Sequence, residues 1–190
     1  MAADRARRRH DPQRRDRIID VCLDVIAEHG VAGASHRRIA QAADVPLGSM
    51  TYHFTGLDGL LREAFSRFIA AFASRFDARM SAARTEDEAI EAVVAIIESD
   101  VFSSQRDLVI THELYTLAAR EPSYRELTNA WMGRSRASLE RHFDPVTARL
   151  VDAVIEGLSI HAALDTRTDN ERLAVRAVRR ITRTDEEIPR

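Results

Sequence analysis

The chain has 190 residues, and all 28 of its Lys-plus-Arg positions are arginine, set against 30 acids. One cysteine allows neither an internal disulfide nor a cysteine zinc cage, the absence of lysine removes Schiff-base and P-loop lysine chemistry, and seven scattered glycines do not build a phosphate-cradling loop. No apolar run approaches the roughly 20 residues of a membrane span, and no apolar stretch follows the basic N-terminus as in a secretory signal, so a cytoplasmic location is expected.

The charge is unevenly placed. Residues 1–17 hold seven arginines (Arg5, Arg7, Arg8, Arg9, Arg14, Arg15 and Arg17) against Asp4, Asp11 and Asp16, whereas residues 62–190 hold 19 arginines among 22 acids. The lack of lysine itself reads as the codon preference of a GC-rich genome. Residues 1–12 read as a flexible basic arm, either a solvated tail or a segment that touches phosphate or enters a minor groove.

From there the pattern is helical to the end. Asp11-Pro12 offers a cap and a first-turn proline, Ile18, Ile19, Cys22, Val25 and Ile26 recur at helical spacing, and Gly30 is a stop, so a first helix is predicted over about 12–29. Ser35 caps a short second helix, about 36–43, ended by Asp44-Val45-Pro46. A third short helix covers about 47–53. A fourth begins near Asp58 and carries Phe65, Phe68, Phe72 and Phe76. Thr85-Glu86-Asp87-Glu88 is a capping box for a fifth, with Ile90, Val93, Val94, Ile97 and Val101. Ser103 or Ser104 opens the next, about 104–119. Glu121-Pro122 opens another over about 122–142, and Asp144-Pro145 one over about 145–165. A second capping box, Thr168-Asp169-Asn170-Glu171, precedes a last helix, and the chain frays from about 183.

The stretch 35–54, SHRRIAQAADVPLGSMTYHF, is the most informative. Two helices this short are not stable alone in water and must lean on the first helix and on each other. Short helix, tight break, short helix is the helix-turn-helix layout, whose second helix enters the major groove. Met50 and Phe54 are expected to face inward. Gly48, Ser49, Thr51 and Tyr52 are expected outward, small enough for close approach or carrying hydroxyls and apolar surface for base edges. Ser35 at a helix start, Arg37, Arg38, Pro46 and His53 complete the candidate DNA-binding set, with phosphate as the expected target of the charged members. The bland alternatives are a simple cap for Ser35, a solvated face for the arginines and a half-buried core position for Tyr52.

This segment resembles the TetR family of bacterial regulators. The match runs from Arg17-Ile18-Ile19 through Glu28-His29-Gly30, Ser35, Ile39-Ala40, Ala43, Val45 and Gly48 to His53-Phe54, within about residues 14–63. Three positions depart from the family pattern. Asp44 stands for the usual Gly, but Asp tolerates a left-handed turn. Thr51 stands for a Tyr that often contacts phosphate. Leu57 stands for a Lys, so one phosphate anchor is missing, for which His53, Tyr52 and the arginine arm are candidate substitutes.

The resemblance implies an all-α protein of about nine helices, with the arm at 1–12, a helix-turn-helix domain at 13–56 and an effector-binding and dimerisation domain at 57–190. The implied function is a DNA-binding transcriptional regulator, a repressor relieved by a small, largely apolar molecule. The candidate effector-pocket residues are Phe65, Phe68, Phe72, His112, Tyr115 and Trp131; a phenylalanine stripe of this kind also reads as plain core. The resemblance places the homodimer interface on the helices at 122–142 and 145–165. Leu150, Val154, Gly157, Leu158 and His161 are the candidates there, and Gly157 would let a partner backbone approach. Double-stranded operator DNA, the effector and a second copy are the expected partners.

No enzyme, cofactor or metal site is expected. His112-Glu113 begins like a zinc-protease motif, but Thr116 stands where its second His belongs. Cys22 sits on an apolar face and reads as a small buried hydrophobe. The competing classes are a helical enzyme and a ligand-independent protein-interaction module, each using the C-terminal half.

Overall fold

Nine helices and no strand occupy the described residues of the computed structural model, which are 12–100, 104–165 and 172–183. They are α1 (Arg14–Gly33), α2 (His36–Ala42), α3 (Gly48–His53), α4 (Gly56–Ala82), α5 (Glu86–Ala95), α6 (Gln105–Arg120), α7 (Pro122–Leu139), α8 (Pro145–Leu164) and α9 (Leu173–Thr182). The basic arm, the Asp11 cap, Val101, Ser103 and the capping box at 168–171 lie outside the described residues, as does the tail from 184.

Most helix starts follow from the local chemistry. The Thr85 side chain accepts the Glu88 N–H at 3.2 Å, and Glu88 Oε2 accepts the Arg84 N–H at 2.7 Å. Ser104 accepts from Asp107 N–H at 3.1 Å, which settles the start of α6. Asp144 Oδ1 accepts the Val146 and Thr147 N–H groups at 2.9 and 3.2 Å, and the Thr147 side chain first, then these amides, hold its carboxyl below the usual range. Proline occupies the first turn of α7 and α8.

Three helices differ from expectation at their ends. α1 starts at Arg14, after Gln13, rather than at Pro12. Gly30 does break it, at φ 67° and ψ 171°, but a further turn runs on to Gly33. α5 widens into a π turn over Ile96–Asp100, which puts both Ile96 and Ile97 in the core. α7 ends at Leu139, where the chain turns so that Phe143 is buried and His142 Nε2 donates to the Met80 carbonyl at 2.9 Å.

The first four helices share one core. Ile18, Ile19, Cys22 and Ile26 of α1 meet Ile39 of α2, Met50 of α3, and Leu60 and Leu61 of α4, all buried. Burial pushes the Cys22 thiol up to about 12, so it packs as a neutral hydrophobe. α4 then runs on into the second half, where its phenylalanine stripe packs against α7: Phe65 meets Tyr124 edge-on at 6.1 Å, and Phe72 meets Trp131 at 5.1 Å. α6 lies against both α1 and α7, α8 against α7, and α9 closes on α5 and α8. Arg67 of α4 ties α1 through Asp16 and Asp20, and Arg15 pairs with Glu63. Such exposed pairs contribute only about 0–1 kcal/mol each, so the reader is held mainly by its apolar core.

Candidate nucleic-acid interface and ligand pocket

α2, a five-residue turn over 43–47 and α3 form the expected reader. Ser35 is extended at φ −151°, ψ 153°, and its hydroxyl accepts the Arg38 N–H at 3.2 Å. Asp44 adopts φ 49°, the left-handed turn that the family's Gly would occupy without strain. Behind it, Val45 N–H donates to the Ala40 carbonyl at 3.0 Å and sets the angle between the two helices.

Met50 and Phe54 face the core, as expected. Gly48, Thr51 and Tyr52 form one outward strip, with Pro46 exposed just ahead of it. Tyr52 is 83% exposed, its ring touching only the edge of His53 at 4.8 Å, so it is not a core residue. A Cβ on Gly48 would meet nothing within 4 Å, so the chain's own packing does not call for glycine there. Thr51 Oγ1 already donates to the Gly48 carbonyl at 3.3 Å.

Three sequence expectations need correction here. Ser49 is 7% exposed and points inward: at about 100° per residue it is a quarter-turn from Gly48 toward the Met50 side. Arg38 is exposed but not free, because its guanidinium folds back onto the Gly33 carbonyl; only Arg37 remains a plain exposed cation on α2. Arg14, Arg15 and Arg17 lie in the first turn of α1, within the predicted first helix. Arg15 pairs with Glu63 and lies 5.5 Å over the Phe54 ring, and Arg17 Nε donates to the Ala43 carbonyl at 3.3 Å, bracing the turn. His53 is half-buried, and burial first, then Arg14 and Arg15, pull its pKa below the ordinary 6.5. It is therefore a neutral donor near pH 7, not a phosphate-neutralising cation.

Leu57 packs half-buried against the core, with Gly56 ahead of it at φ 75°. The lysine anchor of the family pattern is replaced by an apolar contact. Sequence reasoning missed Leu47, which is 55% exposed at the start of α3 beside the Gly48–Tyr52 strip. The signal was available: a large apolar residue at a position where no core-facing period calls for one.

A cavity opens between α4, α6, α7 and α8. Phe72 and Phe76, Thr111 and Tyr115, Trp131, Met132 and Ser135, and Asp152, Ile155 and Glu156 line it. Its volume is about 50 Å³. Of the expected set, Phe72, Tyr115 and Trp131 line this space. Phe65 does not, being wholly buried against Tyr124; Phe68 contacts Trp131 from the core side; and His112 Nδ1 donates to the Leu108 carbonyl at 2.8 Å, outside the cavity. The two carboxylates were missed because acids in an amphipathic helix read as a solvated face.

Those carboxylates give the cavity its electrostatics. Asp152 and Glu156 are one helical turn apart. Burial, with Glu156 adding to it, pushes the Asp152 carboxyl up to about 6 despite Arg136, whose Nη1 lies 3.5 Å away. The Tyr115 hydroxyl is raised far above its ordinary value by burial and by the adjacent Glu156, to which it hydrogen-bonds. Two acids thus face aromatic walls, with Arg136 beside Asp152 and Arg149 acting on the same carboxyl from farther off.

The face of α8 turned away from this cavity is apolar and exposed: Val146 is 70%, Leu150 51% and Leu164 60% exposed. Val154 and Gly157 lie half-buried along the same line, with His161 exposed near its end. Leu158 does not share that face. It sits about 80° around the helix from Leu150 and packs against the protomer's own core.

Residues 18–64 match the family of bacterial regulatory proteins called the tetR family, and residues 84–184 match the tetracyclin repressor-like C-terminal domain. The chain belongs to the TetR family. It is 58% identical to SCO7518 from Streptomyces coelicolor A3(2), over 91% of this chain and 100% of that one, with a TM-score of 0.86. It is 35% identical to the multidrug binding protein EbrR in a complex with ethidium, over 90% and 99% of the two chains, with a TM-score of 0.70. Among curated proteins, the transcriptional repressor KstR2 of Rhodococcus jostii (strain RHA1) is 30% identical over 67% of this chain and 66% of its own length. The family and its curated relatives, KstR2 and the BetI regulators, are transcriptional regulators of helix-turn-helix type, not enzymes. Among the described residues no helix is long and apolar enough to cross a membrane.

Proposed function

We propose that this TetR-family regulator binds a palindromic operator as a homodimer in the cytoplasm, represses transcription there, and is released by an aromatic cation. Residues 13–56 carry the reading and the remainder carries ligand and dimer contacts. The observation behind the ligand class is the pairing of Trp131, Tyr115 and Phe72 with two carboxylates, Asp152 and Glu156, in a mostly apolar space, where Arg136, 3.5 Å from Asp152, is the guanidinium in ion-pair reach. On this reading the effector is largely apolar and carries a positive charge. EbrR, complexed with ethidium, malachite green and proflavin, supports the same class by similarity.

On the DNA side, Pro46, Leu47, Gly48, Thr51 and Tyr52 supply apolar and hydroxyl contacts to base edges, and Arg37, the Ser35 corner and the arm supply phosphate contacts. Val146, Leu150, Val154, Gly157, His161 and Leu164 supply the dimer face. Selection of bound sequences from random duplex DNA tests the reading. A palindrome with half-sites about one helical turn apart is expected, and ethidium should dissociate it. No enrichment above background would refute the DNA reading. Enrichment without release by any aromatic cation would favour a ligand-independent module.

A further inference from the structure

α6 stands between the cavity and the corner that carries the reader. Thr111 and Tyr115 line the cavity. Glu113 lies between them in sequence and, at about 100° per residue, roughly 160° around the helix from each, so it faces the other way. Its Oε2 accepts the Val31 N–H at 3.0 Å. That N–H is available because Gly30, at φ 67°, breaks α1 immediately before it. The fit is close: a Cβ on Gly30 would lie 2.9 Å from Glu113 Oε1. Four residues further on, Ser35 starts α2.

α1 and α6 run side by side in parallel. Arg106 Nε donates to Asp24 Oδ1 at 2.8 Å, and both this tie and the Glu113–Val31 tie join residues 82 apart in sequence. Of the two, Glu113 is the one at the reader's end. A negative charge near the C-terminal end of a helix, here the break in α1 at Gly30, is disfavoured by its dipole, so the carboxylate is held there by the amide it captures. On the opposite face of α6, the cavity measures about 50 Å³, against roughly 300–1,000 Å³ for sites that enclose drug-sized ligands. An aromatic cation enters only by moving the helices that line it.

We propose that Glu113 is the positioning residue that couples the cavity to the DNA reader. It fastens the α1–α2 corner to α6, so a ligand that shifts α6 carries α2 and α3 out of register with DNA. It touches neither ligand nor operator. This rests on the ligand-release reading above.

The test uses the full chain with ethidium as the probe and the selected duplex as the DNA, with release caused by ethidium's own intercalation measured on an unrelated DNA-binding protein and its duplex and subtracted. In the wild type, saturating ethidium should weaken duplex binding about tenfold or more, the usual scale of allosteric coupling. Glu113→Ala should bind ethidium and duplex each within about threefold of wild type, while ethidium changes its duplex affinity less than about twofold. Glu113→Gln keeps an acceptor oxygen and should retain most of the coupling. Release of Glu113→Ala as complete as that of wild type overturns the proposal. Should Glu113→Ala not fold, Glu113→Asp, which withdraws the carboxylate by one methylene, takes its place with the same outcomes. If ethidium does not release the wild type, the ligand reading fails and amide exchange decides this one separately. Faster exchange over 31–42 in Glu113→Ala, with α8 unchanged, supports the tie; identical exchange in both proteins overturns it.

Discussion

Asp152→Asn should weaken the ligand site and strengthen the fold. The wild-type carboxyl sits near pKa 6, raised from an ordinary 3.8 chiefly by burial. An acid raised in this way contributes fully below the unfolded value and loses that contribution as pH rises through the folded one. The wild type therefore gives up on the order of 2 kcal/mol between about pH 4 and pH 6. Asparagine does not titrate, so at pH 7 the variant should be more stable by about that amount, with the gain vanishing near pH 4. Arg136, which loses its partner, keeps 30% side-chain exposure and can be solvated. For ligand, a unit charge about 4 Å away contributes up to about 4 kcal/mol at an effective dielectric of 20. Arg136 offsets much of this, leaving about 1–2 kcal/mol, or roughly 5- to 30-fold in affinity. Ethidium fluorescence titrations from about pH 5 to pH 8, with urea unfolding at the same pH values, read both effects. Wild-type affinity should rise through about pH 6, and the variant's should stay flatter. A wild-type curve without pH dependence, or a variant that binds equally well and unfolds earlier, would refute the reasoning.

Tyr52→Ala removes a ring that is 83% exposed, so thermal stability should hold while operator affinity, read by fluorescence anisotropy, falls about tenfold through the loss of roughly 1–3 kcal/mol of base-edge contact. Unchanged affinity would take Tyr52 off the interface. Leu57→Lys puts a cation back at the position of the missing anchor and should steepen the log affinity against log salt slope by about 0.9; an unaltered slope would mean that site lies away from phosphate. Val154→Arg places a charge at a half-buried position in the middle of the apolar α8 face, and analytical sedimentation should show monomers with an otherwise folded chain. A dimer that persists would move the interface elsewhere.

What the sequence determined by itself was local. Helix starts at Thr85, Ser104, Pro122 and Asp144 depend on a side chain and the two or three amides after it, so they could be read without knowing the fold. The reader was legible for the same reason: Ser35, Asp44, Gly48, Met50 and Phe54 act within twenty residues, and even the left-handed Asp44 could be anticipated. Tertiary structure decided which helix face met which neighbour. An apolar stripe tells that a face is covered but not by what, so Phe72 at a cavity and Phe65 in solid core looked alike, and Leu158 looked as available for a partner as Leu150. Short helices sharpen the problem, since one quarter-turn of phase turned Ser49 inward. Arg38 and Arg17 looked like free cations until the Gly33 and Ala43 carbonyls were found within reach. Asp152, Glu156 and Glu113 were least legible of all. An acid on a helix reads as solvated until a neighbouring helix removes its water, and that depends on residues tens of positions away in the chain.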